Sequence, residues 1–347
     1  LADEPRAPRL AVVIVTYESA AALERTIPVV LSELREGDEL IVVDNASTDG
    51  SAVRAAELAP AALVIESGGN LGYGGGNDRG AEAASAELLC FLNPDAVPQP
   101  GFRDAIAAPA IDGRDWTAWQ GLVTAEDGRV INTRGGVVHF TGVAWAGGAG
   151  QPLSDAPVTV GEPGFVSGAC LAISRARFLE AGGFAEEFFL YQEDVDLSLR
   201  LRLAGGALGV EPSARADHHY EFDKGAAKWH YLERNRWAML IRTYPAALLA
   251  LLFPALLATE LAITVAAVAG GWLGSKVRAW ADVVRWLPRL LRERRAIQRS
   301  RTISAGEFAR ALTPELDSAY LGAASRSRLI GVCVRGYWRL VTGVLGR

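Results

Sequence analysis

Leu88-Leu89-Cys90-Phe91-Leu92 places five apolar residues in a row with no polar alternation. A strand with one face in water alternates. A strand that is apolar on both faces is covered on both, as in the parallel sheet of an α/β protein. Asn93-Pro94 stops the run, because proline has no N–H to give a central ladder. Asp95 then stands just past the carboxyl end of the strand, the edge at which open α/β sheets hold ligands. Taken alone, Asp95 is either the aspartate of a Pro-Asp turn or a carboxylate that holds a divalent ion against a phosphate.

Earlier runs repeat the pattern. Leu10 to Thr16 and Leu40 to Asp44 read as buried strands, the second again ending in an acid, with a helix from about Ala20 to Leu34 between them. Asn45 to Gly50 is a turn, Ser51 caps a short helix, and Leu63-Val64-Ile65 is a third strand. Strand-helix alternation predicts a parallel sheet with right-handed crossovers. A dinucleotide fold needs G-x-G-x-x-G directly after its first strand. Thr16-Tyr17-Glu18 stands there instead, which disfavours hydride transfer. The glycines arrive in Asn70-Leu-Gly72-Tyr-Gly-Gly-Gly-Asn77-Asp-Arg-Gly80. They form either a flexible loop or a close backbone approach to an anion at the next helix start. Asp44 is either a turn aspartate or an acceptor for a ribose or base.

In the second half, Ala118 to Thr124 and Val137 to Phe140 read as strands, and Gly142 to Gly150 as a mobile loop. Glu162 to Ser174 reads as a turn and then a strand. A helix follows, with Leu197, Leu201 and Ala204 on one face and Gly205-Gly206 at its end. Glu193, Asp194 and Asp196 therefore sit at its N-terminus, where the dipole favours ionised carboxylates. They are either caps or, with Phe188, Phe189 and Tyr191 just before them, the lining of a pocket. His218-His219 is either structural or offers one imidazole to a metal. Arg234 and Arg236, on an aromatic helix, either clamp a phosphate or are surface charges.

The 347 residues suit about two domains, and half are apolar. Cys90, Cys170 and Cys333 match no metal motif and no disulfide framework, so a reducing compartment is the simplest setting. The first six residues contain no apolar signal core, and secretion is not expected. The net charge of -5 is uneven: from Lys276 onward 15 Lys/Arg stand against 5 Asp/Glu, which leaves -15 on the preceding residues. Ala246 to Leu273 is long and apolar enough to span a bilayer. Pro254 and Glu260 argue against a plain span, and a hairpin of two half-length helices or a buried helical pair fits too. Beyond it, Val277, Trp280, Val284, Leu287 and Leu291 form an apolar stripe flanked by arginines, and Leu329 to Leu345 is a second such stretch. Basic amphipathic helices with Trp predict monotopic attachment to a membrane surface, ahead of nucleic acid.

In order along the chain, these residues resemble family 2 of the inverting glycosyltransferases, whose nucleotide-sugar-binding α/β fold is called GT-A. The resemblance covers about residues 9 to 240 and rests on Thr16-Tyr17, Val-Val-Asp44-Asn-Ala-Ser-Thr-Asp-Gly, Asn70-Leu-Gly-Tyr, Asn77, Asn93-Pro94-Asp95 and Glu193-Asp194. His218-His219-Tyr-Glu-Phe and Glu233-Arg-Asn-Arg extend it toward bacterial rhamnosyltransferases that act on polyprenyl-diphosphate-linked sugars. It implies a catalytic domain over 1–240 and a helical membrane-association region over 241–347.

The resemblance also implies roles. Thr16, Tyr17, Glu18 and Asp44 would hold the donor's base and ribose, with Asn70, Gly72, Asn77, Asn93 and Asp95 on the donor side. Asp95 would bind Mg²⁺ or Mn²⁺, with His218, or else His219, as a further ligand. Asp194 would be the catalytic base. Gly168, Ala169, Glu193, Arg234 and Arg236 would line the acceptor side. The implied donor is dTDP-rhamnose, with UDP-galactofuranose, UDP-glucose or GDP-mannose as alternatives. The implied acceptor is a polyprenyl-diphosphate-linked glycan at the cytoplasmic face of a bacterial inner membrane. Glu18 stands where many relatives have Asn, and the metal motif carries one acid. A silent nucleotide-sugar-binding subunit and a nucleotidyltransferase are the rival classes.

Overall fold

A computed structural model of the chain describes residues 7–155, 161–218, 227–317 and 327–346. In order, the elements are β1 (Leu10–Thr16), α1 (Ala20–Glu33), β2 (Glu39–Asp44), α2 (Ser51–Leu58), β3 (Leu63–Glu66), α3 (Gly72–Ala83), β4 (Leu88–Leu92), β5 (Ala96–Pro98) and α4 (Phe102–Ala107). Then come β6 (Ala118–Ala125), β7 (Val130–Thr133), β8 (Gly136–Val138), β9 (Ala144–Ala146), β10 (Cys170–Ser174), α5 (Arg175–Glu180), α6 (Glu193–Leu203) and β11 (Leu208–His218). Last among the described residues come α7 (Ala227–Thr243), α8 (Ala246–Ala269), α9 (Leu273–Arg299), α10 (Ala305–Ala309) and α11 (Arg328–Leu345). The chain folds as two compact units. One holds Leu1–Gly136, Ala146–Ser198 and Gly206–Tyr220; the other holds Val137–Trp145, Leu199–Gly205 and Glu221–Arg347. The helix carrying Arg234 and Arg236 thus groups with the helices after it, so this division differs from a cut at 240.

The first unit is built on a sheet ordered β3-β2-β1-β4-β10-β6-β11-β5, with β7 added beside β6. β1 to β4 run parallel, as their unbroken apolar runs predict. β10 lies antiparallel to both β4 and β6, and β5 and β7 are also reversed, so the sheet is mostly parallel, as expected, with these three strands running the other way. Leu10, Val12 and Ile14 pack with Leu23, Ile27 and Val30 of α1 on one face.

The glycine cluster is not a flexible loop: Gly72 to Gly80 lie within α3, from its start onward. A Cβ at Gly76 would come within 2.7 Å of Val15, and one at Gly80 within 2.3 Å of Val13. Each helical glycine costs about 1 kcal/mol against alanine, and the close seat of α3 on β1 offsets that cost. At α2, Asp49 rather than Ser51 meets the first amide, accepting from Ser51 N, and its other oxygen accepts from Ala20 N at the start of α1. Gly142 to Gly150 is not simply a loop, since β9 lies within it.

In the second unit α8 is one helix of 24 residues, not a hairpin. Pro254 is carried within it, as Pro288 is within α9.

Candidate active site

The carboxyl ends of β1 and β2 lie side by side, with Thr16 in register with Asp44. Both are buried. Asp44 Oδ2 accepts from Ser47 N at 3.0 Å, which is the turn role. Its Oδ1, together with Thr16 Oγ1 and Asn45 Oδ1, is buried without a partner among the described residues. An unmet buried polar atom costs about 1–3 kcal/mol, so three at one edge mark a place for a polar ligand. Tyr17 beside them is 52% exposed and offers a ring to stack on. Glu18 sits at φ 51° and braces the neighbouring turn: its carboxylate accepts from Thr48 N at 2.7 Å and from Thr48 Oγ1 at 3.0 Å. That turn uses the oxygen expected at the donor's base.

Asn70, Gly72 and Asn77, expected on the donor side, build the start of α3. Asn70 Oδ1 accepts from Gly72 N at 2.9 Å. Gly72 has φ 71°, and a Cβ there would lie 2.2 Å from Phe189 O, so only glycine fits. Asn77 is buried, and its amide donates to Tyr73 O one turn back.

At the end of β4, Asn93 N donates to Ala169 O at 3.2 Å. Asp95 is partly exposed. Its Oδ1 lies 3.0 Å from Nε2 of buried His218, the last residue of β11, and Asn93 Nδ2 lies 3.1 Å from the same nitrogen. Two ligands about 2.1 Å from one ion at a right angle are about 3 Å apart. The Asp95–His218 spacing therefore fits a shared divalent ion, with the rest of its shell left to water and ligand oxygens. Among the described residues no group of three His, Cys, Asp or Glu side chains gathers for a metal. His219 lies outside the described residues.

The turn before β10 brings in the second acid. Gly168 N donates to Asp194 Oδ2 at 3.1 Å, and Val195 N donates to Asp194 Oδ1 at 2.8 Å. Tyr73 OH donates to Gly168 O at 2.6 Å and holds that turn in place. Ala169, bonded to Asn93, adjoins Gly168, bonded to Asp194, so the two acids are anchored at one edge of the sheet. Burial pushes the Asp194 carboxyl up to about 6, against the backbone amides that pull it down. Burial first, and Asp194 second, push Glu193 well above the usual carboxylate range. Both carboxyls are thus raised, Glu193 in part by the charge of Asp194. Phe189, Tyr191 and Gln192 immediately upstream all take left-handed backbone angles, φ 62°, 69° and 67°. Such strain persists only where the surroundings hold it, and here Tyr73 N clamps Phe189 O at 2.7 Å.

Arg234 and Arg236 do not present a phosphate clamp. Arg236 is fully buried, and its guanidinium is spent on both oxygens of Glu233, at 3.1 and 3.0 Å, and on Glu260. Arg234 lies 4.4 Å over the Trp286 ring and 5.0 Å over that of Tyr231. The sequence shows two arginines on a helix, but which carboxylates and rings meet them is set by α8 and α9.

Residues 11–146 match the model of the glycosyl transferase family 2 domain. The chain is 31% identical over 243 residues to the N-acetylglucosaminyl-diphospho-decaprenol L-rhamnosyltransferase of Mycobacterium tuberculosis, covering 62% of this chain and 78% of that protein. The chain belongs to glycosyltransferase family 2. This glycosyltransferase shares its fold with two solved enzymes. A mannosyltransferase of Pyrobaculum calidifontis, solved with GDP-mannose and Mn²⁺, superposes with a TM-score of 0.52 at 17% identity, over 99% of this chain and 88% of that one. GalNAc-T7, solved with UDP, GalNAc and Mn²⁺, gives a TM-score of 0.57 at 17% identity, over 71% of this chain and 51% of that one. Three residues of the glycosyltransferase's site escape a reading of the sequence. Tyr73 lies within the quoted Asn-Leu-Gly-Tyr run, but its grip on Gly168 spans 95 residues. Asn45 adjoins Asp44 and donates to Gly72 O at 2.9 Å. Gln192 adjoins the acid pair, and its buried Oε1 has no partner among the described residues.

Proposed function

We propose that this family 2 glycosyltransferase moves rhamnose from dTDP-rhamnose onto a polyprenyl-diphosphate-linked glycan, with inversion, at the cytoplasmic face of a bacterial inner membrane. The observation that carries the chemistry is the anchoring of Asp194 and Asp95 at one sheet edge. The name of the mycobacterial relative supports rhamnose as the sugar and a lipid-linked acceptor.

Thr16, Asp44 and Tyr17 take the nucleoside: two buried polar atoms for ribose and base, and a ring for stacking. Asp95 and His218 hold Mg²⁺ or Mn²⁺, which supplies positive charge for the donor diphosphate. Asp194 is the general base. The acceptor oxygen bonds to the anomeric carbon from the face opposite the diphosphate. The bond from that carbon to the phosphate oxygen breaks, its electron pair leaves on the nucleoside diphosphate, and the acceptor proton passes to Asp194. Gly168 N and Val195 N orient the base. Glu193, which keeps its proton to higher pH, is a hydrogen-bond donor beside it, and Gly168 and Ala169 border the acceptor.

The test is a donor panel with Mn²⁺. Thermal shifts are measured with dTDP-rhamnose, UDP-galactofuranose, UDP-glucose and GDP-mannose, followed by nucleoside diphosphate release on adding lipid-linked acceptor. dTDP-rhamnose gives the largest shift, since bound ligand adds RT ln(1 + [L]/Kd) to stability. A larger shift and faster release with another donor would replace the sugar in the proposal.

A further inference from the structure

α8 is built inside out. Its outward side presents Phe253, Leu257, Leu261, Val265 and Val268, all more than half exposed, and every other exposed position along it is Ala or Pro. Its polar residues point the other way. Glu260 receives Trp280 Nε1 at 2.6 Å and Trp237 Nε1 at 3.0 Å, and it pairs with Lys276 at 2.7 Å and with Arg236. Lys276 also meets Glu233 at 2.6 Å and is fully buried. A helix facing water carries its charges outward. An outward face about 36 Å long with no polar side chain suits a hydrocarbon neighbour.

Length and composition alone would let α8 cross a bilayer. Its neighbour forbids that. α9 runs back beside it: Lys276 and Trp280 meet Glu260 in mid-α8, while Arg294 Nη1 donates to Ile241 O and Tyr244 O at 2.7 Å, level with the start of α8. Between those levels α9 exposes Arg278, Arg285 and Arg292. If α8 stood upright, these arginines would sink to acyl-chain depth, where a charge is costly. If it lies flat, its apolar side enters one leaflet while the arginines remain at the headgroups.

We propose that α8 lies in the plane of an anionic membrane, its Phe253–Val268 side among the acyl chains of one leaflet, pinned from within by the Glu260–Lys276–Arg236–Glu233 cluster, with the arginines of α9 on the lipid headgroups. The inference rests on the membrane placement in the reading above and is independent of the donor sugar and of the base.

The full chain carrying Cys333→Ser leaves only Cys90 and Cys170, both buried, so single reporters at Phe253→Cys and Val265→Cys can be labelled selectively. Vesicles of phosphatidylcholine with one third phosphatidylglycerol, containing lipids brominated at shallow or deep acyl positions, then read depth. Both labels are expected to be quenched by the shallow bromines to the same extent. Quenching that deepens steadily from one label to the other means a crossing helix and overturns the in-plane inference while keeping the membrane placement. Failure of the unlabelled chain to float with vesicles overturns both. A dimer in vesicle-free buffer, lost when labels are attached, would assign the face to a second copy and overturn the inference. Leu257→Glu with Leu261→Glu, on the outward face, is expected to reduce flotation at least about tenfold while nucleotide-induced melting shifts stay unchanged; unchanged flotation overturns it. Omitting phosphatidylglycerol should weaken binding about tenfold or more, and equal binding would refute the headgroup contact.

Discussion

Asp194→Asn separates stability from chemistry. In the folded chain the Asp194 carboxyl is raised from 3.8 to about 6 by burial. Its folded value lies above its unfolded one, so folding favours the protonated form. The resulting destabilisation is absent below about pH 3.8, grows between about 4 and 6, and is complete above that. By linkage it amounts to about 3 kcal/mol at pH 8 and about half of that at pH 5. Asparagine removes this term. It also gives up one of the two oxygens that meet Gly168 N and Val195 N, which costs about 1–2 kcal/mol at any pH. The variant should therefore be more stable than the parent at pH 8, with a gain about 1–2 kcal/mol larger there than at pH 5, because the amide cost cancels from the difference. Burial, the largest of the three causes that push Glu193 up, is common to both proteins. The chain has two units, so the measurement should read the sheet itself: urea-dependent hydrogen exchange of β4 and β10 amides at both pH values. Turnover should fall about 10²–10⁴-fold. A stability difference that does not change between pH 5 and 8 would refute the raised carboxyl, and full turnover would remove Asp194 as base.

Three other outcomes follow from the site and the core. In the parent, kcat/KM with saturating donor should fall about tenfold per pH unit below about 6 as Asp194 takes up its proton, and a profile flat to pH 5 would contradict the assignment. His218→Ala should weaken Mn²⁺ binding, measured by electron paramagnetic resonance without substrate, by about tenfold or more; unchanged affinity would confine His218 to a structural role. Gly80→Ala should destabilise the sheet unit by about 1–3 kcal/mol, read from urea melts, because its Cβ would meet Val13 at 2.3 Å. A neutral result would mean that α3 can back away from β1.

Local pattern carried much of this far. The unbroken apolar runs of β1, β2 and β4 are strands because two covered faces leave no polar side to encode. The stop at Pro94 and the acids at Glu193 and Asp194 are likewise written in adjacent residues. The Asn45 to Gly50 turn was legible as well, although Glu18 proved to be a brace within it. What neighbouring residues do not encode was misread or missed. The glycines of α3 looked like a loop because their purpose, the approach of Val13 and Val15, lies on another element. Arg234 and Arg236 looked available because their aromatic and acidic partners arrive from α8 and α9.

The amino-acid sequence by itself determined the family, the strand-and-helix order, and the candidate acids Asp95 and Asp194, because each depends on residue types at short spacing. Only the tertiary structure decided that Gly168 and Ala169 tie those acids to one edge, that burial moves Asp194 toward neutrality, and that α8 turns its charge inward. These are effects of distance and of excluded water, and both are set by residues far apart along the chain.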